Sequence, residues 1–376
     1  MEPADSEETT PTGSVTTPPD TDTPDTDADL PATTDSGTTD SGTTDTGTTD
    51  TGTVSPPDAA CGNGLDDDDD GWFDLADPGC TDAADSDEGG FAVTHLCNDG
   101  VDNDLDGLID ALDPDCGSAT DVEPLPPSIS PSGILMLPIT AGTFDMGCTA
   151  EQLATGLCSY DEFPVHTVTL TRHIWVAQTE LTVSQYEALI GTNPALHGSC
   201  ADCPVEHVTW YDAAAFSNVL SATDGLDACY DCAAGPCTPV EDLYGCPGYR
   251  LPTEAEWEFV ARCGDPFVYP GSDVAGLVAW TVENSGGETH TVATKAANAC
   301  GLYDLAGNVR EWISDVYIDP YDVGPLIDPF AGAGGYNRST RGGHWDHEPY
   351  RISQRDAAGP GFQYSSLGFR IVRTMP

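Results

Sequence analysis

The chain has 376 residues, enough for two or three domains. It carries 64 acidic and 11 basic residues, which gives a formal net charge of −53. A polyanion of this kind repels nucleic acid and anionic lipid, so we expect neither as a partner, and it favours divalent cations. No run of about 18 apolar residues predicts a transmembrane helix.

The first segment, residues 1–58, consists mainly of Thr, Asp, Gly, Ser and Pro, with tandem Thr-Thr-Asp-Ser-Gly and Thr-Thr-Asp-Thr-Gly units. Its low hydrophobicity and high charge leave it no apolar surface to bury. The sequence therefore predicts a disordered, extended stalk over these residues.

Export is predicted by the cysteine content. Fourteen cysteines indicate an oxidising compartment, although the N-terminus lacks the basic and apolar regions of a signal peptide. We therefore expect an extracytoplasmic protein, at the cell surface, in the periplasm or secreted. Its export signal, with a lipid anchor as one form of it, is expected upstream of Met1.

An internal duplication fills residues 59–118, where 61–80 matches 97–116 position for position. Each copy has Asp at positions 1, 3, 5, 9 and 12 and Gly at position 6 of a calcium loop. Each is bracketed by cysteines that would close it as a disulfide loop. The copies resemble bacterial metal-binding repeats and thrombospondin type-3 loops; a solvated acidic linker is the alternative. The predicted Ca²⁺ ligands are Asp66, Asp68, Asp70, Asp74, Asp77, Asp102, Asp104, Asp106, Asp110 and Asp113.

A Pro-rich linker is predicted over 119–131, followed by one globular domain over 132–376. Helices are predicted over 184–190, over 213–220 and, from a Thr-x-x-Glu capping box, over 254–261. The alternating run 166–170 predicts a strand. Little else has a clear period, so the sequence predicts an irregular α+β domain with long loops.

Five sequence blocks occur in this domain, at 142–147, 249–258, 301–312, 341–345 and 366–370. The last four contain Arg-Leu-Pro-Thr-Glu-Ala-Glu-Trp-Glu, Gly-Asn-Val-Arg-Glu-Trp, Arg-Gly-Gly-His-Trp and Leu-Gly-Phe-Arg. In this order they resemble the formylglycine-generating enzymes, or sulfatase-modifying factors. The resemblance covers about 133–373 and implies a C-type-lectin-like fold. We expect four tryptophans of the domain to anchor its core: Trp210, Trp257, Trp312 and Trp345.

The resemblance also implies which residues a catalytic member of the family would need. The family oxidase converts a sulfatase cysteine to formylglycine with O₂ and a Cu(I) ion held by two cysteines, because soft thiolates suit Cu(I). Counted back from the 366–370 block, these two positions fall on His347 and Ile352. No cysteine follows Cys300. The sequence therefore predicts a family member that lacks the copper-binding cysteines.

Other metal chemistry is the alternative. His344, Asp346, His347 and Glu348 could together hold iron, zinc or Cu(II), which would make the protein a formylglycine-type or non-heme metal-dependent oxidoreductase. A polar groove rim is the simpler interpretation of these four residues.

The resemblance further implies a calcium site at Asn308 and Glu311. The alternative is that these two side chains satisfy buried backbone groups.

The cysteines of the domain are interpreted as structural. Disulfides are predicted for Cys148 with Cys158, Cys200 with Cys203 and Cys263 with Cys300. A second group is predicted to form either two disulfides or a zinc site: Cys229, Cys232, Cys237 and Cys246.

Three functions remain open from the sequence. The first is a binding or accessory protein that takes a peptide, protein or glycan in the lectin-like groove. The second is the metal-dependent oxidoreductase, and the third is a structural surface protein.

Overall fold

A computed structural model describes residues 60–62, 65, 80, 84, 127–130, 132–154, 156, 158–197, 199–233 and 235–375. The predicted stalk and all the predicted calcium-loop ligands lie outside these residues, and so do Cys97 and Cys116. Those predictions therefore stay predictions. Cys61 and Cys80, the two ends of the first acidic loop, form a disulfide.

The described part of the chain is a mixture of strands and helices. The strands are β1 Ser128–Ile129, β2 Leu135–Ile139, β3 Gly142–Met146, β4 His166–Leu170, β5 Ile174–Ala177, β6 Tyr230–Asp231, β7 Thr238–Pro239, β8 Tyr249–Arg250, β9 Arg310–Val316, β10 Leu326–Ile327, β11 Arg338–Arg341, β12 Asp356–Ala358, β13 Leu367–Gly368 and β14 Val372–Thr374. The helices are α1 Ala150–Leu153, α2 Val183–Ile190, α3 Trp210–Thr223, α4 Glu254–Arg262 and α5 Ala275–Val278.

The strands form small sheets rather than one large one. An antiparallel sheet has the order β1-β2-β5-β14-β8, and a mixed sheet has the order β12-β11-β9-β13. A third sheet has the order β10-β4-β3, and β6 pairs with β7. Because β1 pairs with β2, the folded domain begins before residue 132, inside the predicted linker.

The three predicted helices are present; α4 begins at the predicted residue, and α2 and α3 begin one and three residues before their predicted ranges. Thr182, Thr209 and Thr253 are their N-caps, and each threonine hydroxyl accepts the amide N–H three residues later. Helix α4 ends at Cys263, whose left-handed conformation (φ 47°) stops the helix. The predicted strand over 166–170 is β4, with His166, Val168 and Leu170 buried.

Tryptophans occupy the centre of the core. Trp210, Trp257 and Trp312 are buried, and each indole N–H is hydrogen-bonded in the interior. These three confirm the predicted role. Trp345 does not, because its ring is only half-buried and packs edge-on against the part-exposed His197, 5.2 Å away.

Five disulfides lie within the domain. The predicted pairs Cys148–Cys158, Cys200–Cys203 and Cys263–Cys300 are present. The cysteines left open between zinc and disulfides also form bridges, Cys229 with Cys246 and Cys232 with Cys237. No helix in the described residues has the length and apolar character to cross a bilayer.

Candidate functional site

The turn that follows β11 carries the predicted metal ligands. Gly342 and Gly343 both have left-handed backbones, with φ +88° and +71°, and a Cβ on Gly343 would lie 2.7 Å from the Tyr350 ring. The Trp345 amide donates to the Asn308 carbonyl at 2.9 Å, and the His347 carbonyl accepts from the Val282 amide at 3.0 Å. The block requires glycine at these two positions because the backbone is left-handed at both, and because the Tyr350 ring leaves no room for a side chain at Gly343.

The two imidazoles of the turn face each other. The rings of His344 and His347 lie 5.7 Å apart, and His347 meets Tyr350 edge-on at 5.1 Å. His344 Nδ1 accepts from the Asp346 amide at 3.2 Å. Burial, and then the positive charge of Arg310, lower the pKa of His344 to about 4. This imidazole is therefore neutral at physiological pH, the form that accepts hydrogen bonds and binds metals.

The structure does not gather all four predicted ligands around one point. Among the described residues, one group of three or more His, Cys, Asp or Glu has ligand atoms within 4.8 Å of one another, and it consists of Cys148, Cys158 and Glu162. Those two cysteines are joined in a disulfide, and Glu162 pairs with Arg351 at 2.6 Å. A metal ion at the 344–348 turn therefore remains a prediction.

An ion pair lies beside the turn. Arg310 pairs with Asp356, the Tyr350 hydroxyl lies 3.5 Å from the same carboxylate, and the Arg310 guanidinium lies 5.8 Å from the Tyr364 ring centre. The sequence analysis missed both charged residues. A usable signal existed, because Arg310 lies inside the 301–312 block.

Exposed aromatic rings continue this surface. Tyr336 is 73% exposed, Phe362 54% and Tyr364 43%. Tyr336 and Phe362 both lie close to Gly359, where a Cβ would be 3.2 Å and 2.8 Å from their rings. The surface from the 344–348 turn to these rings offers aromatic faces for stacking, and it offers both hydrogen-bond donors and hydrogen-bond acceptors.

The two positions aligned with the copper cysteines are in different environments. Ile352 is fully buried in an apolar cluster, and its amide donates to the Val268 carbonyl at 3.0 Å. His347 is exposed. Every described cysteine is in a disulfide. The described residues therefore contain no pair of free thiols that could bind Cu(I).

The residues predicted to bind calcium in the 301–312 block have protein partners. The Asn308 Oδ1 accepts from the His290 amide at 2.9 Å, and its Nδ2 donates to Glu180 at 2.7 Å. Glu311 accepts from Arg370 at 2.8 Å and from the Trp257 indole at 2.8 Å. A calcium ion would have to compete with these donors, so calcium at this site remains a prediction.

The fold and the five sequence blocks define a domain of the sulfatase-modifying-factor class. Comparison with family models agrees. The model of the sulfatase-modifying factor enzyme 1-like domain (FGE-sulfatase) matches residues 125–375. Because this match covers about two thirds of the sequence, the chain belongs to this family.

Two curated relatives illustrate the range of the family. The chaperone protein LppX of Paenibacillus barcinonensis is 33% identical over 179 residues, which are 39% of this chain and 63% of LppX. The formylglycine-generating enzyme of Streptomyces coelicolor is 30% identical over 189 residues, 44% of this chain and 51% of that enzyme. The chain thus spans less than two thirds of the length of either relative.

A solved structure supports the fold. Treponema denticola variable protein 1 matches with a TM-score of 0.56 and 31% identity, over 64% of this chain and 95% of that one. PvdO from Pseudomonas aeruginosa matches with a TM-score of 0.51 at 23% identity, which bears on the fold alone.

Proposed function

We propose that this protein is an extracytoplasmic binding or accessory member of the family and not a copper-dependent oxidase. The carrying observation is the state of the cysteines. Every cysteine in the described part of the domain is bound to another cysteine, and the sequence has none after Cys300. Cu(I) chemistry of the family type needs two thiolates in the region that follows β11.

The location outside the cytoplasm is part of the proposal. Five disulfides in one domain of this size fit an oxidising compartment, because cytosolic thiols are kept reduced. A stalk and two calcium-bound loops at the N-terminal side would then hold the domain away from its point of attachment.

We assign the ligand surface to the region around the 344–348 turn and the exposed rings of Tyr336, Phe362 and Tyr364. Within the C-type-lectin-like fold that the resemblance implies, a peptide, a protein or a glycan would bind here. Exposed aromatic side chains supply contact area at low entropic cost. The name of LppX, a chaperone protein, supports an accessory role over oxidation.

Metal-dependent oxidation at His344 and His347 is the second candidate. It rests on the 5.7 Å approach of the two rings and on the lowered pKa of His344, which keeps this imidazole unprotonated. The carboxylates of Asp346 and Glu348 are exposed and would have to move inward to complete a site.

Metal analysis of the full-length protein separates the two candidates. The test compares the wild type with a His344→Ala/His347→Ala double variant, after equilibration with calcium, iron, copper and zinc and removal of free ions. His197→Ala, which removes an imidazole outside the predicted ligand set, is the matched control. We expect calcium to remain bound, with no transition metal in stoichiometric amount. Stoichiometric iron or copper that is lost in the double variant and kept in the control would contradict the proposal.

A further inference from the structure

A cavity of about 460 Å³ is lined by residues from β3, β4, the start of α4 and the segment that follows β9, and by neither His344 nor His347. Met146 from β3, His166 from β4 and the start of α4 form part of its wall, and the 315–333 segment forms the rest. Pockets of about 300–1,000 Å³ are the usual size for small-molecule sites. This cavity is therefore large enough for a compact organic ligand.

The lining residues of the cavity range from exposed to buried. Ile318, Asp322 and Ala333 are exposed at the mouth, whereas Met146 and Asp315 are 3% and 5% exposed at the floor. Leu326 and Phe330 add apolar wall between them. A bound molecule would therefore bury an apolar body and reach the Asp315 carboxylate.

Asp315 is a buried carboxylate with no ion-pair partner among the described residues. It accepts only two backbone amides, those of Glu254 and Ala331, both at 2.8 Å. Burial, and then the charge of Glu254, raise the pKa of Asp315 to about 7. Each carboxylate oxygen accepts one of these bonds and can accept a second from a ligand.

The arginine that lines the cavity already uses four of its five N–H donors within the protein. Arg355 forms two hydrogen bonds to Glu254 at 2.7 and 2.8 Å and donates to the carbonyls of Asp161 and Ile318. Its guanidinium stacks 3.8 Å from the Tyr321 ring centre. An anionic ligand would therefore find at most one open N–H donor of this arginine, and it would face the carboxylates of Asp315 and Asp322.

We propose that this cavity binds a small apolar cation, in which an ammonium group donates to Asp315 and the apolar body packs on Met146, Leu326 and Phe330. Charge complementarity selects the sign of the ligand, because Asp315 and Asp322 have no ion-pair partner among the described residues and Arg355 is paired with Glu254. The aromatic face of Phe330 adds to the attraction for a cation. This site is separate from the proposed ligand surface around the 344–348 turn.

The test uses three probes of one shape and different charge on the full-length protein. Benzylammonium, benzyl alcohol and benzoate are titrated separately by calorimetry near neutral pH. We expect benzylammonium to bind at least about tenfold more tightly than benzyl alcohol, since a hydrogen bond to a charged group adds more than 1.4 kcal/mol, and benzoate to bind most weakly. Affinity for benzylammonium should rise as the pH is raised through about 7, because Asp315 then ionises. Equal affinities, tighter benzoate binding or no saturable benzylammonium binding would each overturn the proposal.

Two variants locate the site. Asp315→Asn should remove the preference for benzylammonium over benzyl alcohol. Ala333→Trp, at the exposed mouth, should weaken both probes by filling the entrance, and it keeps the test decisive if Asp315→Asn does not fold. Glu288→Gln removes an exposed carboxylate that does not line the cavity and should leave both affinities unchanged. Wild-type affinities in a folded Ala333→Trp variant would place the ligand elsewhere and contradict the assignment.

Discussion

Two regions of the domain use their charges in opposite ways. At α4, Glu254 and Glu258 are buried and paired with arginines, among them Arg341 from the 341–345 block. At the end of the same block and just after it, the part-exposed His344 and the exposed His347 have no ion pair to an acidic residue among those described. The block that resembles the family thus begins with a buried arginine and ends at a part-exposed histidine and tryptophan. Resemblance in such a block therefore indicates a shared fold before it indicates a shared function.

The same contrast exists inside the interior. Glu254 and Asp315 are each 5% exposed and lie together at the start of α4. Burial alone would raise the pKa of Glu254, but Arg355 and Arg341 lower it to about 2. Asp315 has only backbone donors, and its pKa is about 7. Two buried acids of the same kind therefore differ because only one has a cation. Asp315 is therefore the acid that a cationic ligand could pair with.

Breaking the arginine network should give the largest effect. Arg341→Met removes one cation from each of two buried acids, Glu254 and Glu258, which keep Arg355 and Arg262, and we expect a loss of roughly 3–5 kcal/mol in the free energy of unfolding. Urea denaturation measures it. Arg172→Met, which removes an exposed arginine, should stay within about 0.5 kcal/mol of the wild type. A loss below about 1 kcal/mol for Arg341→Met would remove the distinction between interior and surface.

The disulfides sharpen the comparison by loop length. Cys263–Cys300 closes a separation of 37 residues and Cys200–Cys203 one of 3. Loop-closure entropy predicts that replacing the first pair by serines costs about 4 kcal/mol and the second about 1.5 kcal/mol. Denaturation of the two double variants checks the order, and the reverse order would show that the short bridge holds more of the fold.

The pH dependence follows from Asp315. The folded state keeps this proton up to about 7, whereas an ordinary aspartate loses it near 3.8, so the folded state binds more protons between these values. Stability should therefore fall as the pH rises from about 4 to about 7, by on the order of 4 kcal/mol. Asp315→Asn should flatten this slope, and Asp322→Asn, an exposed change, should not. An unchanged slope in Asp315→Asn would assign the effect to another group, such as Asp304, whose pKa burial raises to about 6.

The surface turn should give the smallest change in stability. His347 is exposed, so His347→Ala should alter the free energy of unfolding by less than about 0.5 kcal/mol. Thermal denaturation monitored by circular dichroism measures it. A much larger loss would show that the turn is part of the scaffold, and the contrast with Arg341 would then fail.

Local structure was predictable where a local rule acts. The range of α2, the capping residues of α3 and α4 and the alternation of β4 depend on neighbours in sequence, and the structure confirms all four elements. The sheet order was not predictable from local rules. Strand β14, near the chain end, lies between β5 and β8, a pairing that depends on residues far apart in the chain.

The candidate site was only partly predictable, for a similar reason. His344 and His347 were identified from the family resemblance of the blocks and from residue type. The pair of Arg310 and Asp356 joins residues 46 positions apart, and the cavity at Asp315 needs β3, β4, α4 and the 315–333 segment together. No periodicity in the sequence reports such contacts. The part-exposed position of Trp345 was missed because tryptophan content predicts burial without direction.

Assay of cysteine oxidation tests the central claim most directly. The full-length protein is supplied with Cu(I) and O₂ and incubated with a cysteine-containing sulfatase-type peptide, and mass spectrometry follows the cysteine. The formylglycine-generating enzyme of Streptomyces coelicolor is the positive control. With every described cysteine paired, the peptide should leave the reaction unchanged. Formation of an aldehyde on that cysteine would contradict the assignment of a non-oxidase.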